Sequence, residues 1–449
     1  MELVIKNGTV VTTSEMFSAD VGVCGGKIAA IGKDLSGEQT VDASGLLVLP
    51  GAIDVHTHLQ MDVGKFSTAD SYFAGTRAAA CGGTTTVFDF ALQDYGENMV
   101  DTIKRRDALC APQAAVDYAF HVAIKDISGN LIDSMKQAVD FGVPTFKVYM
   151  VYDIGIGDGD FFRVLEESAK IGARISVHAE NREIIDLLTS RYVSEGKTDP
   201  WHHYLSRAEF TEGEAVSRAI TWATSAGAPL YIVHLACKEG VEALIRAREA
   251  GHKIYAETCP QYLNFTSDVY KRKDGHLFVC SPPIKGKESN DAIWEAIRDG
   301  HIDTVATDHC PFQKTDKDKG SQDFTKSPNG CAGVENMYPY ILSEANKGRI
   351  SFSRAVELCC TTPAAMFGCA DKGSLTPGKD ADIVLYDTSK NVTITNNIMH
   401  SDVDHTIWEG VKLSGYPVQT FSKGRLVYKD GEFLGSPGWG KFIRRRLDS

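Results

Sequence analysis

His56 and His58 stand two residues apart in Gly51-Ala-Ile-Asp-Val-His-Thr-His58, at the end of an apolar run that begins at Leu46. Successive residues of a strand point to opposite faces, so the two imidazoles project to one side. Two neutral imidazoles on one face can grip a single divalent cation. The same pair could equally be two polar residues closing a strand. Residues further along the chain decide between these readings. Lys147 lies in Thr145-Phe-Lys-Val-Tyr-Met150, His178 in Val177-His-Ala-Glu-Asn181, His234 directly after Val233, and Asp308 in Ala306-Thr-Asp-His309. A single buried histidine is most simply a satisfied core residue. Four of them with an aspartate, at the ends of successive apolar runs, read as a metal centre.

Lys147 is the odd member of the set. An ammonium aimed at a dication would be repelled, and burial alone lowers an amine from its ordinary pKa of ~10.4. One reading is a salt-bridged or snorkelling lysine. The other is an amine that CO2 has converted to a carbamate, an anion whose two oxygens could bridge two metals. A metal pair ~3.5–4 Å apart stabilises hydroxide at neutral pH. Asp308 would then act both as a ligand and as a proton shuttle.

These residues need a scaffold that brings strand ends together. Strand-like runs fall at Ala52–His58, Thr84–Phe90, Asp117–Ile124, Thr145–Met150, Arg174–Ala179, Leu230–Ala236, Lys253–Thr258 and Asp303–Asp308. Helical stretches such as Gly213–Ala226 and Gly240–Ala250 separate most of them. Eight strands alternating with helices over about 300 residues is the count of a (β/α)8, TIM-like barrel, whose chemistry sits at the C-terminal strand ends. A doubly wound open sheet is the alternative, but no Gly-x-Gly-x-x-Gly follows the first strand. Short strands with Asn-Gly and Gly-Gly turns precede the barrel, and similar strands follow about Gly378. The two ends are expected to pair into one small β-sandwich. The expected domains are therefore residues 1–51 with 366–449, and the α/β barrel over 52–365. The Lys- and Asp-rich stretch Gln313–Phe324 reads as a long exposed loop after strand eight.

A net charge of −12 disfavours nucleic acid or an anionic membrane as partner. No apolar run is long enough to span a bilayer, and Met1-Glu-Leu-Val-Ile-Lys6 lacks the parts of a signal peptide. The 11 cysteines are odd in number, scattered and never in Cys-x-x-Cys spacing. They read as reduced core residues of a cytoplasmic protein.

The metal-type motifs, together with Gly75-Thr-Arg-Ala-Ala-Ala-Cys-Gly-Gly-Thr-Thr85, Cys280-Ser-Pro-Pro283, Ser327-Pro-Asn-Gly330 and Pro377-Gly-Lys-Asp-Ala-Asp-Ile383, give a further lead. They resemble the cyclic amidohydrolases, and among them the hydantoinase/dihydropyrimidinase family. The resemblance covers essentially the whole chain. It implies a barrel with a β-sandwich and two divalent metals, usually zinc, bridged by carboxylated Lys147. His56, His58, Lys147 and Asp308 would hold the first metal, and Lys147, His178 and His234 the second. Tyr152 would steady the oxyanion of a tetrahedral intermediate. Backbone groups of Ser281 and Asn329 would pair with the amide edge of a small cyclic substrate. The loops about Asp62–Ser71 and Asp153–Asp160 would face its substituent. The expected reaction is hydrolysis of hydantoins or dihydropyrimidines to N-carbamoyl amino acids. Allantoinase-like ureide hydrolysis is the alternative within the class, and a non-catalytic collapsin-response-mediator type of scaffold the alternative outside it. Those scaffolds have lost metal ligands, whereas all six positions are present here. The family also implies a homo-oligomer, tetramer or dimer, with a C-terminal segment packed on a neighbouring subunit. Relatives that hydrolyse dihydroorotate continue the first motif as His-x-His-x-Arg, where this chain has His58-Leu-Gln60.

Other candidates take structural readings. Asp54 should hydrogen-bond below the two histidines, and Asp89 should partner the loop that follows it. His121, His202, His203, His309, His400 and His405 match no ligand position, and Arg444-Arg-Arg446 reads as a solvated tail.

Overall fold

A computed structural model of the chain describes residues 1–447. Eight parallel strands form the central barrel: β1 (Ala52–Thr57), β2 (Thr84–Leu92), β3 (Asp117–Ala123), β4 (Thr145–Tyr149), β5 (Arg174–His178), β6 (Leu230–Ile232), β7 (Ile254–Thr258) and β8 (Thr304–Val305). All eight expected runs contain a strand, but β6 and β8 stop early. Single backbone hydrogen bonds continue beyond both ends, and a few residues on His234 and Asp308 take left-handed conformations, φ +39° and +51°. Helices Glu209–Ala226 and Lys238–Glu249 overlap the expected ones, and the first ends at a left-handed Gly227.

A side-chain clasp and one backbone bridge, Thr57 to His309, rather than a full ladder, close the barrel between β8 and β1. Asp54 accepts hydrogen bonds from the Thr307 amide at 3.1 Å and the Thr307 hydroxyl at 2.6 Å. One rung further up, the His58 amide donates to the His309 carbonyl at 2.8 Å. Asp54 therefore has the hydrogen-bonding role expected of it, fixing the ends that carry His56, His58 and Asp308. Below this level Ile53, Val55, Phe88, Tyr231, Val233 and Phe367 fill the lumen, so the barrel is a packed support and not a pore.

The chain ends meet in a nine-stranded mixed sheet. Leu47–Pro50 pairs on one side with Leu3–Val11 and on the other with Ile383–Thr393. The edge strand Lys27–Gly32 reaches round to residues 378–381, where the Ile28 amide donates to the Lys379 carbonyl at 2.9 Å. The sheet thus folds over one core that includes Leu3, Ile28, Ile383, Leu385 and Phe421.

Two polar stretches depart from expectation. Gln313–Phe324 is not a simple exposed loop: it carries a short helix, Lys314–Lys317, and Lys317 is only 1% exposed. Backbone carbonyls satisfy its ammonium, which a charge-rich composition does not reveal. Arg445 is likewise 1% exposed, so the tail is not simply solvated. Residues 440–445 run along the foot of the chain's own barrel, with the Ile443 amide donating to Tyr118 and the Arg445 amide to Gly142. The Arg445 guanidinium donates to the Thr145 hydroxyl at 2.9 Å and to the Phe120 and Phe367 carbonyls.

Candidate active site

The sequence-predicted ligand residues lie together at the C-terminal mouth of the barrel. Alternation along β1 sends His56 and His58 to one face, and their ring centroids are 5.2 Å apart. Both Nε2 atoms stand 3.1 Å from Asp308 Oδ1. One ligand atom each from His56, His234 and Asp308 lies within 4.8 Å of the others. The His178 and His234 ring centroids are 4.5 Å apart. Lys147, on β4, is fully buried and its Nζ has no hydrogen-bond partner among the described residues.

The electrostatics favour the neutral form at three of the four imidazoles, while at His56 Glu257 and Asp308 outweigh burial and raise the ring above its ordinary value. Burial pushes His58, His178 and His234 down, which keeps them neutral, as metal ligands must be. Asp308 is also buried, yet His56 and His58 hold its carboxyl well below the ordinary range. Burial brings the Lys147 amine down to about 8. An unpartnered, readily neutral amine beside four imidazoles and a carboxylate is poor structural design but a suitable CO2 acceptor. Among the described residues Lys147 therefore lacks the partner that the salt-bridged reading requires.

Outer carboxylates orient the rings. Glu257, at the end of β7, accepts from His56 Nδ1 at 2.5 Å, from the His234 amide at 3.1 Å and from the Tyr231 hydroxyl at 2.8 Å. His56 Nε2 is thereby left to face the centre. Glu180 accepts from His178 Nε2 at 2.7 Å and from Arg207 at 2.5 Å, which leaves His178 Nδ1 free. Neither glutamate was singled out from the sequence. A buried carboxylate closing a barrel strand was the available signal for Glu257, and the spacing of two from His178 was the signal for Glu180.

Tyr152 follows β4 with φ +70° and its ring is 5.3 Å from that of His178. Tyr152, His234 and Asp308 are all non-glycine residues in the left-handed region, a strained backbone that tends to gather at working sites. The Arg207 guanidinium lies 5.4 Å over the Tyr152 ring. Ser281 is buried with an unpartnered hydroxyl, and Asn329 is half-buried between Pro328 and Gly330.

The remaining candidates find structural partners. His309 pairs with Asp70 at 2.8 Å, and its other nitrogen accepts from the Gly333 and Val334 amides. His121 bonds the Thr145 hydroxyl and the Val55 carbonyl. His203 bonds the Cys280 carbonyl, and His400 bonds Glu335. Asp89 differs from expectation: its main partner is Arg106, on the helix Met99–Cys110, not the adjacent loop. Arg106 also donates to the Leu59 and Gln60 carbonyls, so this pair braces the exit of β1.

A barrel whose strand ends gather imidazoles, a lysine and an aspartate, closed by a sheet from both chain ends, has counterparts among known proteins. The Amidohydrolase family model matches residues 47–427, and the chain belongs to that family. A D-hydantoinase from Ralstonia pickettii is 40% identical over 453 residues, 99% of each chain. A D-phenylhydantoinase from Escherichia coli is 39% identical over 99% of this chain and 98% of its own. The crystal structure of dihydropyrimidinase from Brevibacillus agri NCHU1002 superposes with a TM-score of 0.97, at 38% identity and 100% coverage of both chains.

Proposed function

We propose that this protein is a metal-dependent cyclic amidohydrolase that opens hydantoins and dihydropyrimidines to N-carbamoyl amino acids. The observation that carries the reading is the meeting of four histidines, Asp308 and the orphaned Lys147 amine at one barrel mouth. Full-length similarity to proteins named D-hydantoinase supports the substrate class. The donor set fits two divalent cations, which we take to be zinc. His56, His58, Asp308 and carboxylated Lys147 would hold one, and Lys147, His178 and His234 the other. When bound, such a pair supplies hydroxide at neutral pH and polarises a carbonyl. Asp308 takes a proton in the attack and returns it to the departing ring nitrogen. Tyr152 donates its hydroxyl to the developing oxyanion, while Ser281 and Asn329 meet the ring's amide edge through backbone groups.

The proposed ring is uncharged. Gln60 replaces the arginine that would pair with a substrate carboxylate, and its side chain accepts from the Tyr72 amide. Arg77 is held by the His400 carbonyl and Asp402. Lys285 is held by the Arg207 carbonyl and Glu212. Neither Arg77 nor Lys285 is therefore free to take the arginine's place, and burying an unpaired carboxylate costs roughly several kcal/mol. We further propose a cytoplasmic location, in keeping with 11 free cysteines of which all but Cys24 are buried. A homo-oligomer, dimer or tetramer, is supported by helix Arg182–Ser194, which buries only Ile185 and leaves Leu187 58% exposed.

The test is metal analysis of the purified protein with kcat/KM for hydantoin, dihydrouracil and dihydroorotate side by side. Turnover of the first two but not the third is expected. Comparable turnover of dihydroorotate overturns the substrate assignment, and turnover of none overturns the reaction.

A further inference from the structure

Lys317 belongs to none of the catalytic groups, yet its ammonium is fully enclosed near the mouth of the barrel. It donates to the carbonyls of Val279 at 2.6 Å, Pro328 at 3.0 Å and Gly330 at 3.0 Å. An ammonium has three hydrogens, so these bonds use all of its donors. No carboxylate pairs with it among the described residues; its buried neighbours are the thiols of Cys280, Cys310 and Cys331. A lone buried cation costs free energy unless its hydrogen bonds are complete. Its persistence here marks the geometry that it holds.

The three carbonyls come from two separate loops. Val279 lies two residues before Ser281, and Pro328 and Gly330 flank Asn329. Val279 also accepts from the Gly330 amide at 3.0 Å, so both lone pairs of its carbonyl are engaged. The second loop is then seated on the chain after β8: the Cys310 amide donates to the Cys331 carbonyl at 3.0 Å. A Cβ at Gly330 would lie 2.3 Å from the Cys310 carbonyl oxygen, an approach that glycine alone permits. Lys317 thus fixes Ser281 and Asn329 relative to each other and to Asp308.

We propose that Lys317 is a positioning residue for substrate, clamping the two loops whose backbone meets the ring's amide edge. This rests on the ring-opening reading above. The clamp acts on groups that touch substrate in both the ground and transition states, so its loss falls on KM more than on kcat.

The experiment compares wild type, Lys317→Met and Lys317→Arg as metal-loaded enzymes on hydantoin and dihydrouracil. Lys317→Met should raise KM about 10–100-fold with kcat within about threefold, the scale of a small misplacement of binding groups. Its metal content should equal that of wild type. Lys317→Arg, which keeps the charge and some of the bonds, should recover part of the KM. An unchanged KM in folded Lys317→Met overturns the clamp, while a wild type inactive on both rings overturns the reaction instead. If neither variant folds, hydrogen exchange of the wild type with N-carbamoyl-β-alanine, the product of dihydrouracil, decides. Slowing in segments 279–283 and 327–331 is expected, and its absence overturns the proposal.

Discussion

Two regions of the molecule bury comparable amounts of charge and use it in opposite ways. At the foot of the barrel, Lys372 donates to Asp117 at 2.7 Å, Asp382 at 2.7 Å and Asp380 at 2.8 Å. Asp117 also accepts from Lys423 at 2.6 Å and from the Lys441 amide at 2.8 Å. This knot ties β3 to the terminal sheet and to the C-terminal tail. Its carboxylates raise the Lys372 ammonium above its ordinary value. At the mouth, Lys147 is just as buried but has no partner, and burial lowers it. Two lysines of equal burial therefore titrate in opposite directions. A buried charge with complete hydrogen bonds is structure; one left incomplete is held ready for something that binds.

The sharpest way to break this contrast is Lys147→Ala. It should lose metal and more than ~10³-fold in activity, since no other group at the site generates a nucleophile. Short carboxylic acids should restore part of the activity by standing in for the carbamate. Ordinary activity in the variant would leave only a site at His56, His58 and Asp308. Lys372→Met should do the reverse. Removing one member of a buried ionic knot should cost ~3–5 kcal/mol of stability. Its kcat, measured where the variant is still folded, should match wild type. A loss of kcat with unchanged urea midpoint would abolish the distinction between the regions.

Tyr152→Phe tests a smaller effect within the mouth. Loss of one oxyanion donor should lower kcat by ~10²–10³ and leave KM nearly unchanged. A raised KM with normal kcat would make Tyr152 a binding residue.

The last test follows from the opposed titrations. In metal-free protein, folded Lys147 loses its proton near pH 8, while the unfolded chain keeps it until ~10.4. The unfolded state binds more protons in that window, so stability rises with pH across it, by up to roughly 3 kcal/mol. Lys147→Met should remove that rise. Lys372 has the opposite sign: its contribution is complete below ~10.4 and fades as pH passes its higher folded value. Urea melts of stripped wild type and Lys147→Met from pH 7 to 10 read this directly, and parallel curves would refute the assignment.

What the sequence discloses about this site follows from where each signal resides. His56, His58, Lys147, His178, His234 and Asp308 were legible because strand periodicity and a barrel's polarity turn linear position into spatial position. Glu257 was not, since its importance lies in pairing with a ring on another strand, and Glu180, two residues from His178, gains its role only once Arg207 meets it in space. Glu257 and His56, for example, are 201 residues apart. Lys317 and Arg445 were misjudged for a different reason. Both sit in charged stretches, and their counterparts are mainly backbone carbonyls, joined at Arg445 by the Thr145 hydroxyl, which no local side-chain pattern encodes. The terminal sheet was foreseeable from its short strands and Gly turns, but its register depends on contacts that only the completed barrel brings together.

That register has a consequence for how the protein is made. The strand Leu47–Pro50 takes its antiparallel neighbour, Ile383–Tyr386, from a part of the chain about 330 residues later. At ~5–20 residues per second, the ribosome needs roughly 15–70 s to deliver that neighbour. Throughout that interval the apolar Leu47-Val48-Leu49 edge stands open, an invitation to pair with other nascent chains. Arg445, which fastens the foot of the barrel, emerges later still. The terminal sheet is therefore completed only late in the chain's synthesis. The greatest exposure of each molecule to aggregation comes before residues 383–386 have been translated.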